Sequence, residues 1–126
     1  MRYIRPSPMI PLSHAVVHGG IVYVSGQVGF RPGSAELVSA EVTGQARQAF
    51  AHIDSILGEA GTSRDRILRC GIFLKDVGRD FAAMNGCYAE WLGSHRPART
   101  TVGADFALPG ILIEVDCIAA LPSSAR

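Results

Sequence analysis

The sequence predicts an α+β domain in which two helices cover one face of a mixed β-sheet, and three observations carry that expectation. Two β-branched runs, Ala15–His18 and Ile21–Ser25, are separated by Gly19-Gly20, a spacing that reads as a hairpin. Between Val42 and Ala60 the apolar residues Val42, Ala46, Ala49, Phe50, Ile53, Ile56, Leu57 and Ala60 recur at helical spacing and define one face. From Ile111 to Ala120, Ile113, Val115, Cys117 and Ala119 alternate with Leu112, Glu114, Asp116 and Ile118, the period of a strand.

Taken in order, Pro6, Pro8 and Pro11 give the chain an irregular, extended start. The hairpin follows and ends in Ser25-Gly26-Gln27, and Arg31-Pro32-Gly33-Ser34 is loop, with room for a short extra strand near Leu37. Gly61 supplies the stop for the first helix. Ile67–Lys75 reads as a strand. Asp80 is the expected N-cap of a second helix whose apolar positions are Phe81, Met84, Tyr88, Trp91 and Leu92. Two further strands run from Arg99 to Ala104 and from Ile111 to Ala120, joined through a Leu108-Pro109-Gly110 turn. The order is β-β-α-β-α-β-β. Two helices leave one sheet face uncovered, so the β-branched side chains there are expected to pack against other copies of the chain around a symmetry axis.

With 126 residues the chain has room for one domain, residues 1–126, and about half of it is hydrophobic (48%), enough for a core without disulfides or a structural metal. Twelve Lys+Arg balance eleven Asp+Glu for a net charge of +1, which builds no clustered basic face for nucleic acid. Cys70, Cys87 and Cys117 are scattered and lack CxxC spacing, the N-terminal residues carry no apolar run, and no segment approaches membrane-spanning length. These features predict a reduced, cytoplasmic protein with neither a membrane nor a nucleic-acid partner.

Two groups invite a chemical reading. Glu114 and Asp116 lie two residues apart on one face of an apolar strand, where carboxylates are costly to bury unless paired or used. Arg99 opens the preceding strand, and if those strands are antiparallel neighbours it meets Glu114. The pair is then either an ordinary cross-strand or subunit salt bridge or a site that holds an anion and orients a water. Spacing alone favours the ordinary salt bridge. His14, His18, His52 and His95 show no metal-binding spacing, the cysteines lack an electropositive niche, and Ser25 lacks a GxSxG context. Tyr88 and Trp91 read as core or interface residues.

The segments Arg96-Pro97-Ala98-Arg99-Thr100-Thr101-Val102, Leu108-Pro109-Gly110 and Ile113-Glu114-Val115-Asp116-Cys117-Ile118-Ala119 resemble the signature of the Rid (reactive intermediate deaminase, or YjgF) family. Ser25-Gly26-Gln27, Gln45-Ala46-Arg47-Gln48-Ala49 and Asn85-Gly86-Cys87-Tyr88 extend the resemblance over nearly the whole chain. It implies a chorismate-mutase-like fold assembled as a homotrimer with clefts between subunits, and cofactor-independent hydrolysis of enamines and 2-imino acids to 2-oxo acids and ammonia. It also implies that Arg99 binds the substrate carboxylate, that Glu114 positions or deprotonates water, and that Ser25, Gly26, Asn85 and Thr101 line the pocket, with Thr101 where many deaminating members carry cysteine. Leu12 stands where those members carry a tyrosine, which makes the pocket more apolar. The alternative that this departure motivates is a non-catalytic trimer that binds metabolites or regulates a partner. Ribonuclease action, ascribed to some relatives, is disfavoured by the near-neutral charge.

Overall fold

A computed structural model describes residues 1–123. The elements are β1 (Arg2–Pro6), β2 (Ser13–His18), β3 (Ile21–Val28), α1 (Val42–Ala60), β4 (Ile67–Leu74), α2 (Val77–Leu92), β5 (Ala98–Gly103) and β6 (Ile113–Ala120), with a short 3-10 turn before β4. The six strands form one mixed sheet in the order β1-β2-β3-β6-β4-β5. Only β4 and β5 run parallel, as a strand-helix-strand crossover through α2 requires.

The hairpin, both helices and the last strand match the sequence reading, and the expected extra strand near Leu37 is a single bridge, Phe30 to Leu37. Three expectations change. The extended start contains a strand, β1, which pairs with β2 along Arg2–Pro6. Its sequence hides this because only Ile4 is buried, while Arg and Pro are residues that suit a sheet edge. The N-cap of α2 is Asp76, whose Oδ1 accepts from Arg79 N at 3.0 Å. Asp80 instead sits in the first turn, buried and ion-paired to Arg79, where a carboxylate favours the helix dipole. Finally, β5 and β6 are not neighbours, because β4 lies between them.

Both helices pack on one face of the sheet. The core joins Val22, Ile72, Leu74, Ile113 and Val115 to Ile53, Ile56, Leu57 and Met84 from the helices, all fully buried. Gln45 is the polar exception in this layer. Its amide donates to the Ser39 and Gly110 carbonyls at 3.0 and 2.9 Å and accepts from Leu112 N at 2.8 Å, so α1 is tied to the loop that feeds β6. Gly61 closes α1 at φ 98°, its N–H reaching the Leu57 and Gly58 carbonyls. The opposite face carries the ladder Tyr3, Val16, Tyr23 and Ile118. Tyr3 and Tyr23 are 59% and 47% exposed, so this apolar stripe is uncovered in one chain.

Candidate active site

The residues singled out in the sequence fall into two groups on different parts of the sheet. The first group lies between β5 and α2. Arg99 pairs with Cys70 and Thr101 with Ile72, and both of those partners point into the core, so Arg99 and Thr101 project to the helix side. There Arg99 meets Phe81 and Tyr88, and spacings of four and three place Asn85 on the same face of α2. The Arg99 guanidinium carbon lies 4.8 Å from the centroid of the Tyr88 ring and 5.9 Å from that of Phe81. Every other described arginine makes a hydrogen bond or an ion pair. Among the described residues, Arg99 contacts no acceptor, so its donor fork is held by aromatic faces and left open.

Asn85 Oδ1, Tyr88 OH and Thr101 Oγ1 are buried in the same layer without a hydrogen-bond partner. Buried oxygens without partners are uncommon and costly, so Asn85 Oδ1 and Thr101 Oγ1 are set for a ligand or an ordered water, whereas the Tyr88 hydroxyl faces the Cys70 thiol. Tyr88 stands beside the Cys70 thiol, and burial pushes its phenol well above the ordinary range. Burial likewise raises the Cys70 and Cys117 thiols, which keeps them protonated and unreactive.

The second group lies at the end of β3. The register with β6 shifts between Val24 and Gln27, a bulge that re-aims Ser25 and Gly26. Ser25 Oγ donates to the Ser13 carbonyl at 2.6 Å, and Gln27 Nε2 donates to the Ser25 carbonyl at 3.1 Å while approaching His14 Nδ1 at 3.2 Å. Leu12, Ser25 and Gly26 line a cleft of roughly 860 Å³ whose rim includes Met9, Ile10 and Phe30.

Glu114 projects from β6 on the open face, and the Gly26 backbone lies so close that an added Cβ would overlap its carboxylate. Asp116 is seated the same way against Gly71. Among the described residues neither carboxylate has a hydrogen bond or ion pair, and burial followed by the like charge of Asp116 raises the Glu114 carboxyl above its ordinary value.

Arg99 and Glu114 therefore do not meet within one chain. They belong to strands separated by β4 and project from opposite faces. Two strand spacings and three residue steps put their Cα atoms about 14 Å apart, which overturns the expected cross-strand contact. The sequence reading also passed over Tyr88 and Phe81, although their spacing with Asn85 was the available signal. Two histidines tie loops to the fold: His52 Nε2 lies 2.7 Å from the Phe30 carbonyl and His95 Nε2 lies 2.8 Å from that of Ile67, while His14 lines the cleft beside Ser25. Among the described residues no group of three or more His, Cys, Asp or Glu could hold a metal ion, and no helix is long and apolar enough to cross a membrane.

The chain and its fold have counterparts among known proteins. The family model described as endoribonuclease L-PSP matches residues 3–121. The chain belongs to this family, the Rid or YjgF family. A RutC family protein of Pyrococcus horikoshii is 36% identical over 114 residues, which cover 90% of each chain. A 2-iminobutanoate/2-iminopropanoate deaminase of Dermatophagoides farinae is 31% identical, covering 91% of this chain and 89% of that protein. The crystal structure of RidA from a Psychrobacter species superposes with a TM-score of 0.83 at 33% identity, covering 92% of this chain and 93% of that one. The six-stranded mixed sheet with two helices is the fold of this family.

Proposed function

We propose that the protein hydrolyses 2-imino acids to 2-oxo acids and ammonia without a cofactor. The observation that carries this reading is the unpaired Arg99 guanidinium on its aromatic platform, a preformed receptor for a substrate carboxylate. The named deaminase at 31% identity supports the same chemistry.

An iminium carbon is already electrophilic, so the reaction needs a fixed substrate, a placed water and one base. Arg99 holds the carboxylate. Glu114 accepts a proton as the water oxygen bonds to the imine carbon and the C=N electron pair moves to nitrogen. Glu114 then passes that proton to the carbinolamine nitrogen, and as the C–N bond breaks and C=O reforms the hydroxyl proton goes to the freed Glu114 carboxylate or to water while the nitrogen leaves as ammonia. Burial raises the Glu114 carboxyl, which makes its anion a stronger base than a solvated glutamate.

Arg99 and Glu114 can act on one small molecule only if they come from different subunits. The uncovered Tyr3–Ile118 stripe supports such an assembly, and a homotrimer supplies three equivalent sites, each drawing β5 and α2 from one subunit and the Ser25-Gly26 bulge with Glu114 from the next. A coupled assay tests the reading: an amino-acid oxidase generates imino acids, semicarbazide traps what remains, and wild type is compared with Arg99→Ala. Wild type is expected to lower the trapped imine, and Arg99→Ala to lose on the order of 100-fold in kcat/KM. Full activity in Arg99→Ala sinks the assignment. Carboxylate binding without turnover points to a metabolite-binding module.

A further inference from the structure

We propose that Tyr88 is a positioning residue that holds Arg99 in its anion-binding pose and so sets the affinity for the substrate carboxylate. The proposal rests on the reading of Arg99 as the carboxylate receptor and adds a residue that acts through it.

The geometry has three parts. The guanidinium carbon stands 4.8 Å from the Tyr88 centroid, within the range of a cation–π contact, and such a contact is strongest where water is excluded. Tyr88 is 7% exposed and braced edge-on by Phe50 and Trp91, each 6.1 Å away at 70°, so its ring cannot follow a moving arginine. Phe81 offers a second, more exposed ring at 5.9 Å. A flexible arginine on the surface loses side-chain entropy when it binds an anion. Here the two rings remove much of that freedom beforehand, and they do so without spending any of the five N–H donors.

A carboxylate partner within the chain would also immobilise Arg99, but it would compete with the ligand. An aromatic platform restrains the cation and leaves the hydrogen-bonding edge open. The Tyr88 hydroxyl takes no part: it lies against the Cys70 thiol and makes no hydrogen bond to Arg99, so its loss removes no bond to Arg99. The ring is the working part, and this separates positioning from general core packing.

The test compares wild type, Tyr88→Phe and Tyr88→Leu on a 2-imino acid and on a carboxylate-free imine generated by an amine oxidase. Binding of 2-oxobutanoate is measured by calorimetry on the same three proteins. Tyr88→Phe is expected to stay within about 2-fold of wild type throughout, because the ring is kept. Tyr88→Leu is expected to raise KM for the imino acid and Kd for 2-oxobutanoate by about 3- to 30-fold, the span of a buried cation–π contact. Its kcat, and its KM for the carboxylate-free imine, remain near wild type. Equal losses on both imines, failure of Tyr88→Phe to restore affinity, or an unchanged Kd in Tyr88→Leu overturns the proposal. If no protein turns over any imine while the 2-oxobutanoate pattern holds, the deaminase reading fails and the role of Tyr88 stands. If wild type binds no 2-oxobutanoate, Arg99 is not a carboxylate receptor and both readings fall.

Discussion

Arg99 and Glu114 stand on opposite faces of one sheet, with β4 between their strands and three positions of register separating them. Under the proposed function that relationship requires a site shared between subunits, which leads to the first prediction. Arg99→Ala and Glu114→Ala are each expected to be inactive alone. Co-refolding the two in equal amounts restores activity, because some interfaces then combine an intact Arg99 from one chain with an intact Glu114 from its neighbour. Random mixing in a ring of three returns on the order of a quarter of wild-type activity. No recovery in refolded mixtures would place both residues on one chain's site.

A pH dependence follows from Glu114. Its carboxyl is raised by burial and by the charge of Asp116, and the base is active as the anion. The acid limb of kcat/KM is therefore expected above the ordinary glutamate range, with activity rising as pH rises through the raised value. Asp116→Asn removes the like charge and moves the limb to lower pH. The stability sign is opposite to that of a salt-bridged acid. Between the unfolded and folded values the native state holds the proton more tightly, so stability falls as pH rises through that window, and Glu114→Gln flattens the slope. Rate profiles and thermal melts across pH 4–8 check both.

Gly26 and Gly29 separate activity from stability within one loop. A Cβ at Gly26 meets the Glu114 carboxylate, the movable end of a side chain. Gly26→Ala is thus expected to fold with less than about 1 kcal/mol of loss while kcat drops on the order of 10-fold as the base is displaced. A Cβ at Gly29 meets the Gln45 backbone, with its Cα at 2.6 Å and its O at 2.7 Å. Gly29→Ala is expected to cost about 1–3 kcal/mol, read by urea denaturation.

Gln45 offers a test of the core. Its amide satisfies two carbonyls and one N–H from a position with no exposure. Gln45→Leu keeps the approximate volume but strands those three backbone groups, and about 3 kcal/mol or more of destabilisation is expected. Denaturant midpoints at constant m-value measure it, and a loss under 1 kcal/mol would show that the loop re-pairs elsewhere.

Local periodicity carries most of the fold. The apolar face of α1, the alternation in β6 and the Gly19-Gly20 turn are each written within a few residues. What lies outside that reach is pairing. The insertion of β6 between β3 and β4 brings together residues far apart in sequence, and no local pattern reports it, so β5 was given the wrong neighbour. β1 escaped because an edge strand with one buried side chain has no alternation to display. Asp76 and Asp80 both suit a helix start by composition, and only the hydrogen bond to Arg79 N distinguishes them. At the site, the family's motifs single out Arg99, Glu114, Ser25 and Asn85, because spacing alone favours an ordinary ion pair for the first two and says nothing of the others. Tyr88 was set aside because an aromatic at helical spacing on an apolar face looks like core, and it is core as well.

The central place of β6 also governs how the molecule comes into being. β1, β2 and β3 form one pairing block and β4 and β5 another, and within the sheet residues 113–120 alone join the two. In chain order β6 follows all five other strands. A nascent chain therefore carries the hairpin block and the β4–α2–β5 block with their inner edges unpaired until residues 113–120 emerge, and non-local closure of this kind is slow. Truncation ahead of Ile113 is therefore expected to leave two half-sheets with exposed inner edges, the kind of edge that pairs with other chains, instead of a smaller working protein.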